Sequence, residues 1–237
     1  MKVYFLRDER LAISHRMVAA PAVLRGALDA LFAGPTDVEA AAGLHTQIPD
    51  GTELRSVNLV DGTATIDVTS ELERGGGSMS MLARLSEIVF TATQFDNVDE
   101  VVFWLDGEPV QFFGGEGIVL DEPWARIDVD RDFTGDILID SPVPGSTVTS
   151  PFVVTGEGDV FEGDFPLEIT RDGERLGELI NVFAGAYGDW RSFEVSVTVD
   201  APPGPIELVA LSGQGCTPDV EPNCKLYETI VPLVLAD

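Results

Sequence analysis

The sequence runs to 237 residues, with hydrophobic side chains at 44% and charged ones at 23%, a balance that builds packed cores and excludes disorder over most of the length. Its 41 Asp and Glu against 14 Lys and Arg give a formal charge of −27, a field that repels nucleic acid and anionic lipid headgroups and excludes both as partners. There is no run of about 18 apolar residues, so no segment reads as a bilayer-spanning helix.

The first half alternates strands and helices. Val3-Tyr4-Phe5-Leu6 reads as a strand, with Leu11-Ala12-Ile13 as its hairpin partner. From Pro21 an Ala- and Leu-rich stretch continues through Phe32, with Ala22, Val23, Leu24, Ala27, Leu28, Leu31 and Phe32 at helical spacing, and Gly34-Pro35 stops it. Thr36-Asp37-Val38-Glu39 offers a capping box for a short second helix ending at Gly43. Leu54 to Val60 and Thr63 to Val68 flank Asp61-Gly62, a strong hairpin signal. After Gly75-Gly76-Gly77, read as a flexible loop, Ser78 is expected to cap a long helix from about Met79 to Gln94, with Leu82, Leu85, Ile88, Val89 and Ala92 on one side. Val101 to Leu105 follows as a strand, and Asp106-Gly107 turns the chain towards Pro109 to Phe112. This is an α+β domain, a small sheet with helices on one face, assigned to residues 1–132.

Beyond it the helical pattern stops. Ile137 to Ile139, Phe152 to Thr155, Leu167 to Thr170, Phe193 to Val199, Ile206 to Leu211 and Tyr227 to Leu233 are short apolar runs separated by Gly, Pro and Asp clusters. Short strands at such spacing predict an all-β sandwich over residues 137–237, with the boundary between Val129 and Ile137.

Catalytic and metal-binding patterns are sparse. His15 and His45 are the only histidines, and neither lies in a HExxH or other catalytic motif. The glycines at 75–77 lack the lysine and spacing of a phosphate loop, and Phe113-Gly114-Gly115-Glu116-Gly117 reads as a plain turn between strands. Asp128, Asp130 and Asp132 alternate like the first ligands of a calcium loop, but Phe133 stands where the turn glycine belongs and Ile139 where the bidentate Glu belongs. In a strand the same alternation lays the acids on one solvated face. Trp190 and Phe193 read as sandwich core. Cys216 and Cys224 bracket a turn-rich loop between the last two strands; a disulfide there suits an oxidising compartment, whereas two cysteines without supporting histidines cannot fill a zinc site. The expectation is therefore no catalytic residue, no cofactor and no metal. The acids spread from Asp8 to Asp237, which favours general solubility over divalent-cation sites or a surface for a basic partner. The opening, Met1 to Leu6, enters a strand too soon for a signal peptide, so the chain is either cytosolic or the mature part of an exported protein.

Several of these segments, in order, resemble the GerMN domain of spore-germination and sporulation proteins and of many bacterial lipoproteins. They are Val3-Tyr4-Phe5, Ala33-Gly34-Pro35-Thr36 with Glu39, Ile48-Pro49-Asp50-Gly51-Thr52, Val60 to Asp67, Phe90-Thr91-Ala92-Thr93-Gln94-Phe95 and Val101-Val102-Phe103 with Asp106-Gly107. The second half is similar to the immunoglobulin-like domain often fused behind GerMN. It carries Ser141-Pro142-Val143-Pro144-Gly145-Ser146, Ser150-Pro151-Phe152, Val154-Thr155-Gly156, Val160-Phe161-Glu162-Gly163, Asp172-Gly173, and Trp190 with Phe193. The resemblance implies an immunoglobulin-like β-sandwich as the second domain. It also implies an extracytoplasmic protein lipid-anchored to the outer face of the cytoplasmic membrane, through an export signal and lipid-bearing cysteine that this chain lacks. Two function classes follow: a cell-envelope scaffold that engages envelope proteins or copies of itself, as ring-building modules do, and a binding module for peptidoglycan or another wall polymer.

Overall fold

The structure, a computed structural model, describes residues 1–115, 117–213 and 226–237. They fall into two compact units, Met1–Phe133 and Thr134–Asp237.

In the first unit β1 (Lys2–Arg7) and β2 (Arg10–His15) form a two-stranded antiparallel ladder. Helices α1 (Val23–Phe32) and α2 (Asp37–Ala41) follow. Strands β3 (Leu54–Val60) and β4 (Thr63–Val68), helix α3 (Ser78–Ala92), then β5 (Glu100–Leu105) and β6 (Glu108–Pro109) build a four-stranded sheet in the order β3-β4-β5-β6. β4 and β5 run parallel because α3 is the crossover between them. A small hairpin of β7 (Phe112–Phe113) and β8 (Ile118–Val119), then α4 (Arg131–Thr134), end this half of the chain. Asp61 and Gly62, at φ 49° and 87°, take the two left-handed positions that a two-residue hairpin requires, and Asp106 and Gly107 repeat the arrangement at 52° and 90°.

β1 is buried on both faces, with Val3, Tyr4, Phe5 and Leu6 at most 2% exposed. A strand so placed must satisfy its second edge, and α3 supplies part of the solution. The Lys2 N–H donates to Gln94 Oε1 and the Lys2 carbonyl accepts from Gln94 Nε2, both at 2.7 Å, while the Tyr4 N–H donates to Thr91 Oγ1 at 3.1 Å. Leu6 completes the edge by exchanging two 2.8 Å backbone bonds with His45. The Phe90 to Phe95 segment is thereby explained in physical terms. Phe90 packs edge-on against Tyr4, and the next turn caps the strand beneath.

Two local expectations are corrected. The N-cap of α3 is Gly77, without a side-chain cap, and Ser78 is the first helical residue. Nor does α3 present one apolar side: Arg84, Ser86, Glu87 and Thr91 are as buried as Leu85 and Ile88, because β1, β5, α1 and the segment around Gln47 surround it.

The second unit is a sandwich of β9 (Ile137–Ser141), β10 (Thr147–Thr149), β11 (Phe152–Gly158), β12 (Asp164–Arg171), β13 (Glu174–Arg175), β14 (Ile180–Phe183), β15 (Arg191–Val197), β16 (Gly204–Gly213) and β17 (Leu226–Ala236). One sheet has the order β15-β11-β9, and the other β10-β17-β16-β12-β13 with β14 also on β12. Ile137, Val154 and Phe193 from the first meet Phe165, Leu167, Leu208 and Val231 from the second in one core. Phe193 stands edge-on to Phe165 at 5.1 Å. That packing needs Gly156: a Cβ there would lie 2.3 Å from the Leu138 carbonyl oxygen and 2.5 Å from the Phe193 ring. Gly156 is also where the β11–β9 register shifts.

Candidate functional site

The residues singled out for chemistry do not converge. His15 and His45 are both exposed, and their backbones flank opposite edges of β1, against Lys2 and Leu6 respectively. The acids at 128–132 lie neither in a strand nor around a cation loop. Asp128 accepts the Ala125 N–H at 2.8 Å, and Asp130 accepts the Asp132 N–H at 2.9 Å ahead of α4. Among the described residues no three metal-ligating side chains gather. Cys216 and Cys224 lie outside the described residues. Phe113 to Gly117 does join β7 to β8, with Glu116 not described. Phe193 is core, but Trp190 is only half-buried, just ahead of β15.

The fold instead assembles two polar clamps that the sequence pattern did not announce. Arg84 donates from Nε to the Gln47 carbonyl (2.8 Å), from Nη1 to that of Leu72 (2.6 Å) and from Nη2 to that of Gly75 (2.8 Å). One turn on, Glu87 accepts the Gln47 N–H at 3.0 Å and bonds the Thr46 hydroxyl. A single helix thus captures both polar groups of the Gln47 backbone and pins the triple-glycine loop. Gly76 has φ 84°, and a Cβ there would lie 2.8 Å from Arg84 Nη2. Burial pushes the Glu87 carboxyl up to about 8, against the opposing pull of Thr46, the Gln47 N–H and Arg84. It is therefore mostly neutral at pH 7. Arg84 and Glu87 sit on the stripe shared by Met81, Leu85 and Ile88. Two charged residues at that spacing inside an apolar stripe were the available signal.

The second clamp is Glu39. Thr36 and Glu39 form the expected capping box of α2. Glu39 also accepts from Ser14 and takes both Arg16 guanidinium nitrogens, at 2.5 and 2.6 Å. Burial would raise its pKa, but Arg16, Ser14 and Thr36 together hold it down at about 2. These groups tie backbone to helix; none is aimed into an open cleft as a nucleophile or base would be.

The fold also leaves some apolar side chains to solvent. Ala64, Ile66, Val101 and Phe103 are buried, so the alternate residues of β3, β4 and β5 form the other, outer face of the sheet. It carries Val60, Asn58, Thr65, Val102 and Trp104, with Val60 56% exposed and Thr63 hydrogen-bonded across to Glu100 at 2.7 Å. In the second unit Phe161, Phe183 and Tyr187 are exposed at 46%, 75% and 81%.

Residues 2–111 match the Germane family model, described as sporulation and spore germination, and residues 136–215 match Gmad2, the immunoglobulin-like domain of bacterial spore germination. Among solved structures, the first GerMN domain of the sporulation protein GerM from Bacillus subtilis is 18% identical, with a TM-score of 0.46, over 54% of this chain and 99% of that one. The tandem GerMN domains of the same protein give 14% and 0.47, over 78% of this chain and 60% of that one. A Clostridium perfringens chain provisionally described as a lipoprotein gives 22% and 0.42, over 54% and 88%. No curated protein matches.

Proposed function

The chain joins a GerMN domain to the immunoglobulin-like domain of bacterial spore germination, and from that pairing we propose that it is a non-catalytic scaffold of the cell envelope, held outside the cytoplasmic membrane by a lipid anchor. Its work is to hold other envelope proteins, or further copies of itself, through the first unit. The observation that supports this reading most is the outer face of the four-stranded sheet. On that face Val60 is exposed and Val102 and Trp104 are half-buried, beside the polar Asn58, Thr65 and Glu100. The buried acids and arginine of the same unit are engaged with backbone groups.

Copies of so acidic a chain repel one another, and salt screens that repulsion. Sedimentation of the full chain is therefore expected to give a larger average mass at high ionic strength than at low. Val60→Glu is expected to remove the increase while leaving the melting temperature in place. A strictly monomeric chain at every ionic strength overturns homotypic contact and leaves a different envelope protein as the partner. Release of soluble fragments from purified cell wall by the chain overturns the non-catalytic reading.

A further inference from the structure

β14 is an open edge. Among the described residues it pairs with β12 alone, in the register Asp164↔Phe183, Phe165↔Val182, Pro166↔Asn181 and Leu167↔Ile180. The Ala184 N–H donates to the Gly163 carbonyl at 2.9 Å. Antiparallel ladders alternate, so the N–H groups of Asn181 and Phe183 point away from β12; Pro166, opposite Asn181, has no N–H to exchange. Sheet edges are ordinarily blunted by charge or proline. Leu179 to Phe183 contains neither, and Leu179 and Phe183 are 44% and 75% exposed.

The loop after β14 is built to hold aromatic rings at this edge. Gly185 admits no side chain, since a Cβ would lie 1.5 Å from the Asp189 carbonyl oxygen. Tyr187 and Gly188 take φ 59° and 91°, and both oxygens of buried Asp159 accept the Gly188 N–H, at 3.0 and 3.1 Å. Tyr187 thereby meets Phe161 edge-on at 6.2 Å. Acids neighbour the rings along the strand ladder and the chain. Asp164 is directly opposite Phe183, Glu162 follows Phe161 and is exposed, and Glu178 precedes the edge. The neighbouring cation Arg191 is paired with Asp189 at 2.6 Å.

We propose that β14 and the Phe161–Tyr187 pair bind an extended, arginine- or lysine-bearing segment of another polypeptide, added as a further strand along the open edge. Backbone donors give the register, and alternate cationic side chains reach Phe183 and Asp164 on one face. A second copy of this chain carries the same negative field and fits less well. The proposal rests on the scaffold reading above and supplies a partner chemistry for the second unit.

The test uses a fluorescein-labelled synthetic peptide alternating arginine with threonine or valine, titrated with the full chain in anisotropy measurements. Saturable binding is expected, weakening with salt. Asn181→Pro, which removes an outward N–H along with the exposed carboxamide, and Phe183→Ser are each expected to weaken binding roughly tenfold, with melting temperatures kept. Val60→Glu, on the other unit, is expected to leave it unchanged, so a failed sedimentation test does not decide this one. Equal affinity for the peptide in wild type, Asn181→Pro and Phe183→Ser overturns the edge site in favour of diffuse charge. Displacement of the peptide by soluble peptidoglycan fragments overturns it in favour of a sugar-stacking site.

Discussion

The two units meet the same requirement, fixing a loop across packed elements, by overlapping means used in different proportion. In the first, charged side chains are buried and directed at the backbone: Arg84 and Glu87 hold Gln47, and Glu39 joins the start of α2 to Ser14 and Arg16. In the second, Asp159 likewise holds the Gly188 N–H, but the backbone is also shaped by residues without side chains: Gly156 lets Phe193 into the core, and Gly185 closes the loop that carries Tyr187. Anchors of the first kind bring titration into stability, because a buried acid has different proton affinities folded and unfolded. Anchors of the second kind bring steric intolerance, because one added carbon has no room.

The largest effect is expected at the first unit's clamp. Glu87→Ala removes a buried side chain and leaves the Thr46 hydroxyl and the Gln47 N–H without their acceptor. The cavity and the stranded groups together should cost about 3 kcal/mol. Urea unfolding of the full chain measures it, and the loss should fall on the transition of the first unit. An equal loss in both transitions breaks the contrast between the units.

Gly156→Ala is the matching probe of the second. The added Cβ meets the Leu138 carbonyl and the Phe193 ring inside contact distance, so β11 or the ring must shift. Overpacking of this kind costs about 1–3 kcal/mol. The same urea titration should show it in the second transition, with no change in the pH profile of the first. Wild-type stability in this variant would mean that Phe193 yields freely and that the glycine is not the anchor.

How much of this was readable beforehand follows from distance along the chain. Asp61-Gly62, Asp106-Gly107 and the Thr36–Glu39 box act within a few residues, and each takes the geometry its residues suggest. Thr91 and Gln94 could not be read as edge caps, since the strand they satisfy lies about ninety residues earlier. Arg84 and Glu87 sit at positions that periodicity marks as inward, yet their charge argues outward; only the carbonyls that surround them resolve the conflict. β14 escaped because Ile180 to Phe183 is too short to show alternation, although its lack of charge is plain in the sequence. Trp190 looked like core by residue type alone, and it sits half-buried where the chain leaves the aromatic loop.

The smallest change is the sharpest test of how the first unit is anchored. With its pKa raised from 4.5 to about 8, Glu87 binds its proton more tightly folded than unfolded. Its contribution is therefore complete below pH 4.5 and is lost as pH rises towards 8. Glu39 has the opposite sign: with a folded pKa near 2, its contribution is present above pH 4.5 and lost as pH falls towards 2. Glu87→Gln imitates the neutral acid, keeping a carbonyl oxygen for the Gln47 N–H, while its amide replaces the oxygen that accepts the Thr46 hydroxyl, so that bond reverses. Below pH 4.5, where wild-type Glu87 is also protonated, it should unfold within about 1 kcal/mol of wild type, and at pH 7 it should be the more stable of the two. Between pH 5 and 8 it should lose the wild-type decline, while below pH 4 the two proteins should fall together, because Glu39 is intact in both. Melting curves across that range decide the matter. A Glu87→Gln profile that still declines from pH 5 to 8 would place the titrating group elsewhere in the first unit and remove Glu87 as the source of its pH response.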